Sequence, residues 1–321
     1  MNQNPVTTPA SRRSRAITML LLATTFWASS FPLMKSLALE QQKLLPGAGT
    51  WFFTSLGVMY RFGAAGLLLA LFLRRDLLKI SRLELEQGLG LAVFGVGGIL
   101  FQMDGLAYTA ASTSAFLTQC YVVFIPVWVA LVHRHRPAPK VIVSIVLVMI
   151  GLAILAGLDF NSFKLGRGET ETLIASLLFT GQILWLERPR YAANQPLRFS
   201  FVMFAGMAVL CVPGVWLTAP SVEACWQAYS SPATWGFLAT LVIVCTLGGY
   251  LFMNRWQRDV TATEAGLIYC VEPVLTSVLT LFLPAWISVW ANINYANETL
   301  TTRLLIGGGL VTAANVLLQK R

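Results

Sequence analysis

The sequence predicts an all-α integral membrane protein whose ten transmembrane helices form two inverted five-helix repeats. Three observations predict it. Of the 321 residues, 56% are hydrophobic and only 12% charged, about half the charged share of a soluble domain. The apolar residues fall in runs long enough to cross a bilayer, which takes about 20 residues of helix. Lysine and arginine are concentrated on alternate sides of those runs, as the positive-inside rule expects.

Apolar windows between charged or Pro/Gly-rich breaks place the spans at roughly 16–37, 51–73, 87–108, 111–133, 139–157, 169–190, 197–218, 233–254, 261–283 and 303–319. With the N-terminus inside, seventeen of the 23 basic residues lie on the cytoplasmic side and five on the other, with Arg61 left inside the second span. Both termini are therefore expected in the cytoplasm. The net charge of +9 is explained by basic loops rather than by nucleic acid. The N-terminal "SRRSR" resembles a targeting signal. The long apolar run after it, with no small-residue cleavage site, reads as a first membrane anchor.

Cys120, Cys211, Cys245 and Cys270 fall within apolar runs and only Cys225 in a loop, so neither a disulfide framework nor a CxxC metal site is implied. After the ninth span, Trp286, Trp290 and Tyr295 in "PAWISVWANINYANETL" suggest a segment lying at the interface, where amphipathic aromatics settle. Asn297-Glu298-Thr299 also matches a glycosylation acceptor.

"ASTSAFLTQCYVVFIPVWVAL" from Ala111 can be laid on "ATEAGLIYCVEPVLTSVLTLF" from Ala262, and "FWASSFPLM" on "FTGQILWLE" at a similar offset. Spans one to five and six to ten then form two halves. Because each half has an odd number of spans, the second must insert upside down, a recurring plan of secondary transporters.

"WASSFPLMK", "YRFGAAGLLLAL", "TSAFLTQCYVVFIPVWVALVHRHRP", "FTGQILWLERPRYA" and "QRDVTATEAGLIYCVEPV" resemble, in order and over nearly the whole chain, the EamA-type family of the drug/metabolite transporter superfamily. The Glu-Pro of the last motif is the most specific part. The chain departs from the family's Gly-Glu-Arg corners, with His135 standing where the first glutamate would be. The resemblance implies a central substrate cavity, alternating access and a substrate among amino acids, amines or drug-like solutes, with export or exchange across an inner membrane. The domain layout expected is a cytoplasmic tail at 1–15, a first repeat at 16–157, a periplasmic linker at 158–168 and a second repeat at 169–321.

Glu272 and Pro273 stand side by side in the ninth span. Proline cannot donate to the carbonyl four residues back, so a bend is expected beside a carboxylate. Glu272 has two readings: a cavity group that binds a cation or a coupling proton, or structural and gating support for a bent helix. Arg61 needs a partner, with Glu272, Asp104 and a helix-end carbonyl as alternatives. These four residues, Arg61, Asp104, Glu272 and Pro273, form the gating or coupling group.

Polar and aromatic residues in the spans that the resemblance places around the cavity are the substrate-binding candidates. They are Trp27 and Ser30, beside Ser29, in the first span; Gln102 in the third; and Gln119 and Tyr121 in the fourth. Gln182 and Trp185 belong to the sixth, Tyr250 (with Asn254) to the eighth and Tyr269 to the ninth. Taken singly, each also suits interhelical hydrogen bonding or packing. Small-residue clusters at Gly63, Gly95 and Ile306 allow close helix approach, within a monomer or at a homodimer seam.

The rival readings are an intramembrane enzyme and a scaffold or sensor. His133 and His135 are the only histidines, both in a basic loop, and no HExxH or GxSxG motif occurs. The expectation is a non-enzyme with no cofactor or metal, whose partners are a small solute and the bilayer.

Overall fold

The computed structural model describes residues 10–134, 137–155 and 166–319. Most of the linker expected at 158–168, together with His135 and the chain's last two residues, lies outside the described residues. The described residues are overwhelmingly helical, and no strand occurs among them. Seven helical segments are long and apolar enough to cross a membrane by themselves.

The first span is α1 (Ala10–Leu44), followed by α2 (Thr50–Leu73) and α3 (Arg82–Tyr108). The fourth span is broken into α4 (Ala111–Thr118) and α5 (Tyr121–His133), and the fifth is α6 (Pro139–Leu155). In the second half, α7 (Arg167–Leu186) and α8 (Pro196–Thr218) precede a short α9 (Val222–Gln227). The eighth span joins α10 (Pro232–Thr240) to α11 (Gly249–Trp256) through a π-helical stretch, Leu241–Gly248. The ninth is again broken, into α12 (Ala262–Tyr269) and α13 (Glu272–Thr280). After it come α14 (Leu283–Ala291) and the tenth span, α15 (Thr302–Gln319).

Local chemistry explains several starts. Ser81 and Glu84 form a capping box on α3, and Thr261 and Glu264 form one on α12: each hydroxyl accepts from the third residue's N–H and each carboxylate from the cap's own. Arg12, Arg13 and Arg15 lie within α1.

Helix pairing relates the halves. α2 packs along α8 and α6 along α15. α3 lies against α7 while α1 lies against α11, and α4 meets α7 while α13 meets α1. Replacing each span by the one five places on turns this set of pairings into itself, as a two-fold relation between repeats requires. Since chain direction reverses at each span, equivalent helices run oppositely and the repeat is inverted.

Apolar side chains such as Leu67, Leu71, Phe72, Val209 and Leu217 are exposed on the outer surface of α2 and α8, which suits contact with lipid. On α14, Trp286 and Val289 are exposed while Ile287 is buried, the amphipathic face expected of an interfacial segment. Asn297 uses its side-chain oxygen to accept from the Ala285 N–H at 2.8 Å, so it caps α14.

Candidate functional site

The two broken spans meet at the centre of the molecule. In the fourth, Gln119 N and Cys120 N donate three residues back, to Phe116 and Leu117; in the ninth, Cys270 N and Val271 N do the same to Leu267 and Ile268. Both helices therefore tighten at the same position of the repeat before restarting. Pro273 is the second residue of α13, where a missing N–H costs least. The helix is broken beside Pro273, but proline is not required for such a break: Val122 occupies the equivalent position in the fourth span. Gln119 Nε2 donates to Glu272 Oε2 at 2.7 Å, tying one break to the other.

Beside this contact lies a cavity with about 520 Å³ of space between the protein atoms, part of it open to solvent. Seven of the nine substrate-binding candidates line it: Trp27, Ser30, Gln102, Tyr121, Gln182, Tyr250 and Tyr269. Arg61 and Glu272 line it as well. Gln119 does not line it but donates to Glu272, which does.

Trp185, Asp104 and Pro273 do not line it. On α7 the cavity-facing residues are Phe179, Gln182 and Ile183. Trp185 sits roughly a third of a turn around the helix from that face. Its indole lies over Gly90, donates to the Gln87 carbonyl at 3.2 Å and stacks under the Arg188 guanidinium. Asp104 is fully buried but lies near the end of α3, where its carboxylate pairs with Arg167 at 2.5 Å.

Among the described residues Arg61 pairs with neither carboxylate proposed for it, nor with a helix-end carbonyl. Its Nε donates to the Thr246 hydroxyl at 2.6 Å and its Nη1 approaches the Met34 sulfur at 3.4 Å. The reason is depth: Asp104 is consumed by Arg167 at one end of the bundle, whereas Arg61 is buried beside the π-helical stretch that presents Thr246. π-Helical insertions often mark functional positions because they re-aim side chains.

An aromatic cluster forms one wall. The Trp27 ring meets Tyr250 at 5.4 Å and Tyr269 at 5.3 Å, both edge-on. The Trp27 Nε1–H is buried without a partner and lies against Gly249, where a Cβ would be 2.2 Å away. Tyr269 donates to Gln257 Oε1 at 2.9 Å, and Gln257 in turn donates to the Ile183 carbonyl, which holds the ring in place. On the opposite side Gln102 donates to Thr118 Oγ1 at 2.9 Å. Phe179 is seated against Gly98, where a Cβ would approach its ring to 2.5 Å.

Thr118, Ile99, Phe179, Ile183 and Met253 line the cavity without having been singled out from sequence. Apolar wall residues carry no signal against an apolar helix. Thr118, at the end of α4, was detectable only once the break was known.

Each end of the bundle carries polar ties. At the end where α1 begins, Arg12 pairs with Asp259 at 2.9 Å and Arg13 with Glu264 at 2.6 Å. Glu187, just past α7, accepts from the Ala262 N–H at 2.8 Å. A basin of about 1300 Å³ lies among these groups. At the other end Lys35 donates to the Leu106 and Thr109 carbonyls at 2.9 and 2.7 Å, and Thr109 donates to Glu169 at 2.8 Å.

A polytopic all-helical membrane protein with paired broken helices around a central polar cavity is thus defined. Residues 14–157 and 172–318 each match the EamA-like transporter family. The chain belongs to that family, within the drug/metabolite transporter superfamily, and is a membrane transporter. It is similar to an uncharacterized transporter of Archaeoglobus fulgidus, 23% identical over 270 residues that cover 82% of this chain and 76% of that one. It is also similar to the uncharacterized transporter YyaM of Bacillus subtilis, 23% identical over 285 residues, 83% of this chain and 86% of the relative. A solved crystal structure shares the fold, with a TM-score of 0.64 and 17% identity over 95% of this chain and 96% of the other.

Proposed function

We propose that this transporter carries a small organic solute, an amino acid, amine or drug-like compound, through the central cavity by alternating access, in export or exchange. The observation that carries this reading is the cavity at the junction of two tightened helices, ringed by buried polar side chains. Tied ends lie above and below it. Opening one set of ties at a time would expose the cavity to one side and then the other. Loosened turns at Gln119–Cys120 and Cys270–Val271 are the natural hinges, with Pro273 limiting how the second can rewind.

In this reading the protein lies in the inner membrane with both termini in the cytoplasm, and the Arg12 end faces inward. The halves divide at the periplasmic linker 158–168, giving a first repeat at 16–157 and a second at 169–321. Glu272 is the group that would hold a coupling proton, and Arg61 and Asp104 take part in coupling and gating respectively. The working unit is a monomer or a homodimer in the bilayer.

The experiment is flux in sealed vesicles reconstituted with the full-length protein. Radiolabelled amino acids and amines are offered singly, with recovery of the unaltered compound as a control. Uptake that saturates and is absent from protein-free vesicles is expected. A solute recovered chemically changed would instead indicate an enzyme, and no flux of any of these solutes would overturn the reading.

A further inference from the structure

We infer that the central cavity selects a zwitterionic solute, with the solute's anionic group on Arg61 and its cationic group beside Glu272. This deepens the transport reading above and rests on it. A basic and an acidic side chain line one cavity, from α2 and α13. Among the described residues neither takes part in an ion pair. Among the described residues the protein acceptors of Arg61 are a hydroxyl and a thioether, with the Phe62 ring 5.4 Å from the guanidinium carbon, and Nη2 has no acceptor. Among the described residues the only protein donor to Glu272 is Gln119, and Oε1 has none.

Two buried charges that do not neutralise each other are costly to keep in a membrane protein, because each has lost its water. A solute carrying both signs compensates both at once. A guanidinium presents a planar fork suited to a carboxylate, and it still has an unengaged edge here. An ammonium near Glu272 would also lie close to the Trp27, Tyr250 and Tyr269 cluster, whose ring faces attract cations. A singly charged amine would leave Arg61 uncompensated, and a simple anion would leave Glu272 so. Phe179 and Ile99 supply apolar wall for the remainder of the solute.

The test uses detergent-purified full-length protein and thermal-shift titration with two matched sets. One is L-leucine, isopentylamine and 4-methylpentanoate. The other is L-phenylalanine, 2-phenylethylamine and 3-phenylpropanoate. In at least one set the amino acid is expected to bind about tenfold or more tightly than both relatives, since each lost charge-assisted contact is worth about that factor. In Arg61→Gln the amino acid and amine should bind alike, and in Glu272→Gln the amino acid and acid should bind alike. Arg61→Lys keeps the charge and should retain part of the preference even if Arg61→Gln does not fold.

The inference is overturned if wild type binds an amine or acid as well as its amino acid, or binds none of the six. It is also overturned if the preference survives intact in Arg61→Gln. Vesicle flux separates the two readings. An amino acid that is bound but never moved removes the transport reading and leaves the site. An amine or acid moved in preference removes the zwitterion and leaves transport.

Discussion

Gln119 and Glu272, 153 residues apart in sequence, join the two broken helices of the protein through one 2.7 Å hydrogen bond. The contact runs from the helix break of the first repeat to the first residue of the resumed helix in the second. Gln119→Leu would leave the carboxylate with no protein donor. Loss of the partner of a buried charged group costs about 1–3 kcal/mol or more. We expect a lower Tm in detergent and reduced flux, while Glu272→Gln, which can still accept from Gln119, should retain most of the stability. Equal melting of Gln119→Leu and wild type would show that the bond does not hold the breaks together.

Pro32 cannot donate to the Ala28 carbonyl one turn back in α1, and the Thr276 hydroxyl of α13 donates to it instead, at 3.3 Å. Thr276→Val keeps the shape and removes the donor, leaving a buried carbonyl unsatisfied at a cost of about 1–3 kcal/mol. Thr276→Ser should cost much less. Chemical-denaturant melts of the two variants make the comparison, and identical losses would point to packing rather than hydrogen bonding.

Gly249 gives the Trp27 indole its place. A methyl group there would sit 2.2 Å from Nε1, and because the ring cannot yield cheaply we expect Gly249→Ala to cost about 1–3 kcal/mol. It should also displace the aromatic wall and weaken solute binding. Trp27→Phe removes the clashing atom, so the double variant should be less impaired than the two single effects added together. Strict additivity would mean that the two sites do not touch.

Glu187 faces the basin beside the start of α1, where burial raises its pKa from the ordinary 4.5 to about 7; the Ala262 N–H opposes the rise and Glu264 adds to it. Arg12, Arg13, Arg188, Arg258 and Asp259 share the same basin. The folded protein holds this proton more tightly than the unfolded chain. The resulting stability is complete below about pH 4.5 and is lost as pH rises through about 7. Thermal melts across that window should show a decline that Glu187→Gln partly removes. An unchanged slope in the variant would assign the pH dependence to another group.

Membrane class, ten spans, the repeat and most of the cavity wall were legible in sequence because each rests on composition or on spacing along one helix. Trp27, Gln102, Gln182 and Tyr250 stood out as polar or aromatic groups in apolar runs, and such groups turn inward because lipid cannot solvate them. Trp185 met the same criterion and still lies outside the cavity. Its orientation is set by Gly90 on a neighbouring helix, and no property of its own helix reports that.

Partner choice was decided only in three dimensions. From sequence Arg61 had Glu272, Asp104 or a carbonyl as alternatives, and it engages Thr246 and Met34 instead. Arg167, 63 residues from Asp104, has taken that carboxylate. Likewise the bend at Pro273 followed from one residue's chemistry, whereas its twin at Gln119 carries no proline. A missing N–H or an apolar run acts within a turn or a span, so local sequence determines it. Which buried charge meets which donor depends on the helices that tertiary packing brings side by side.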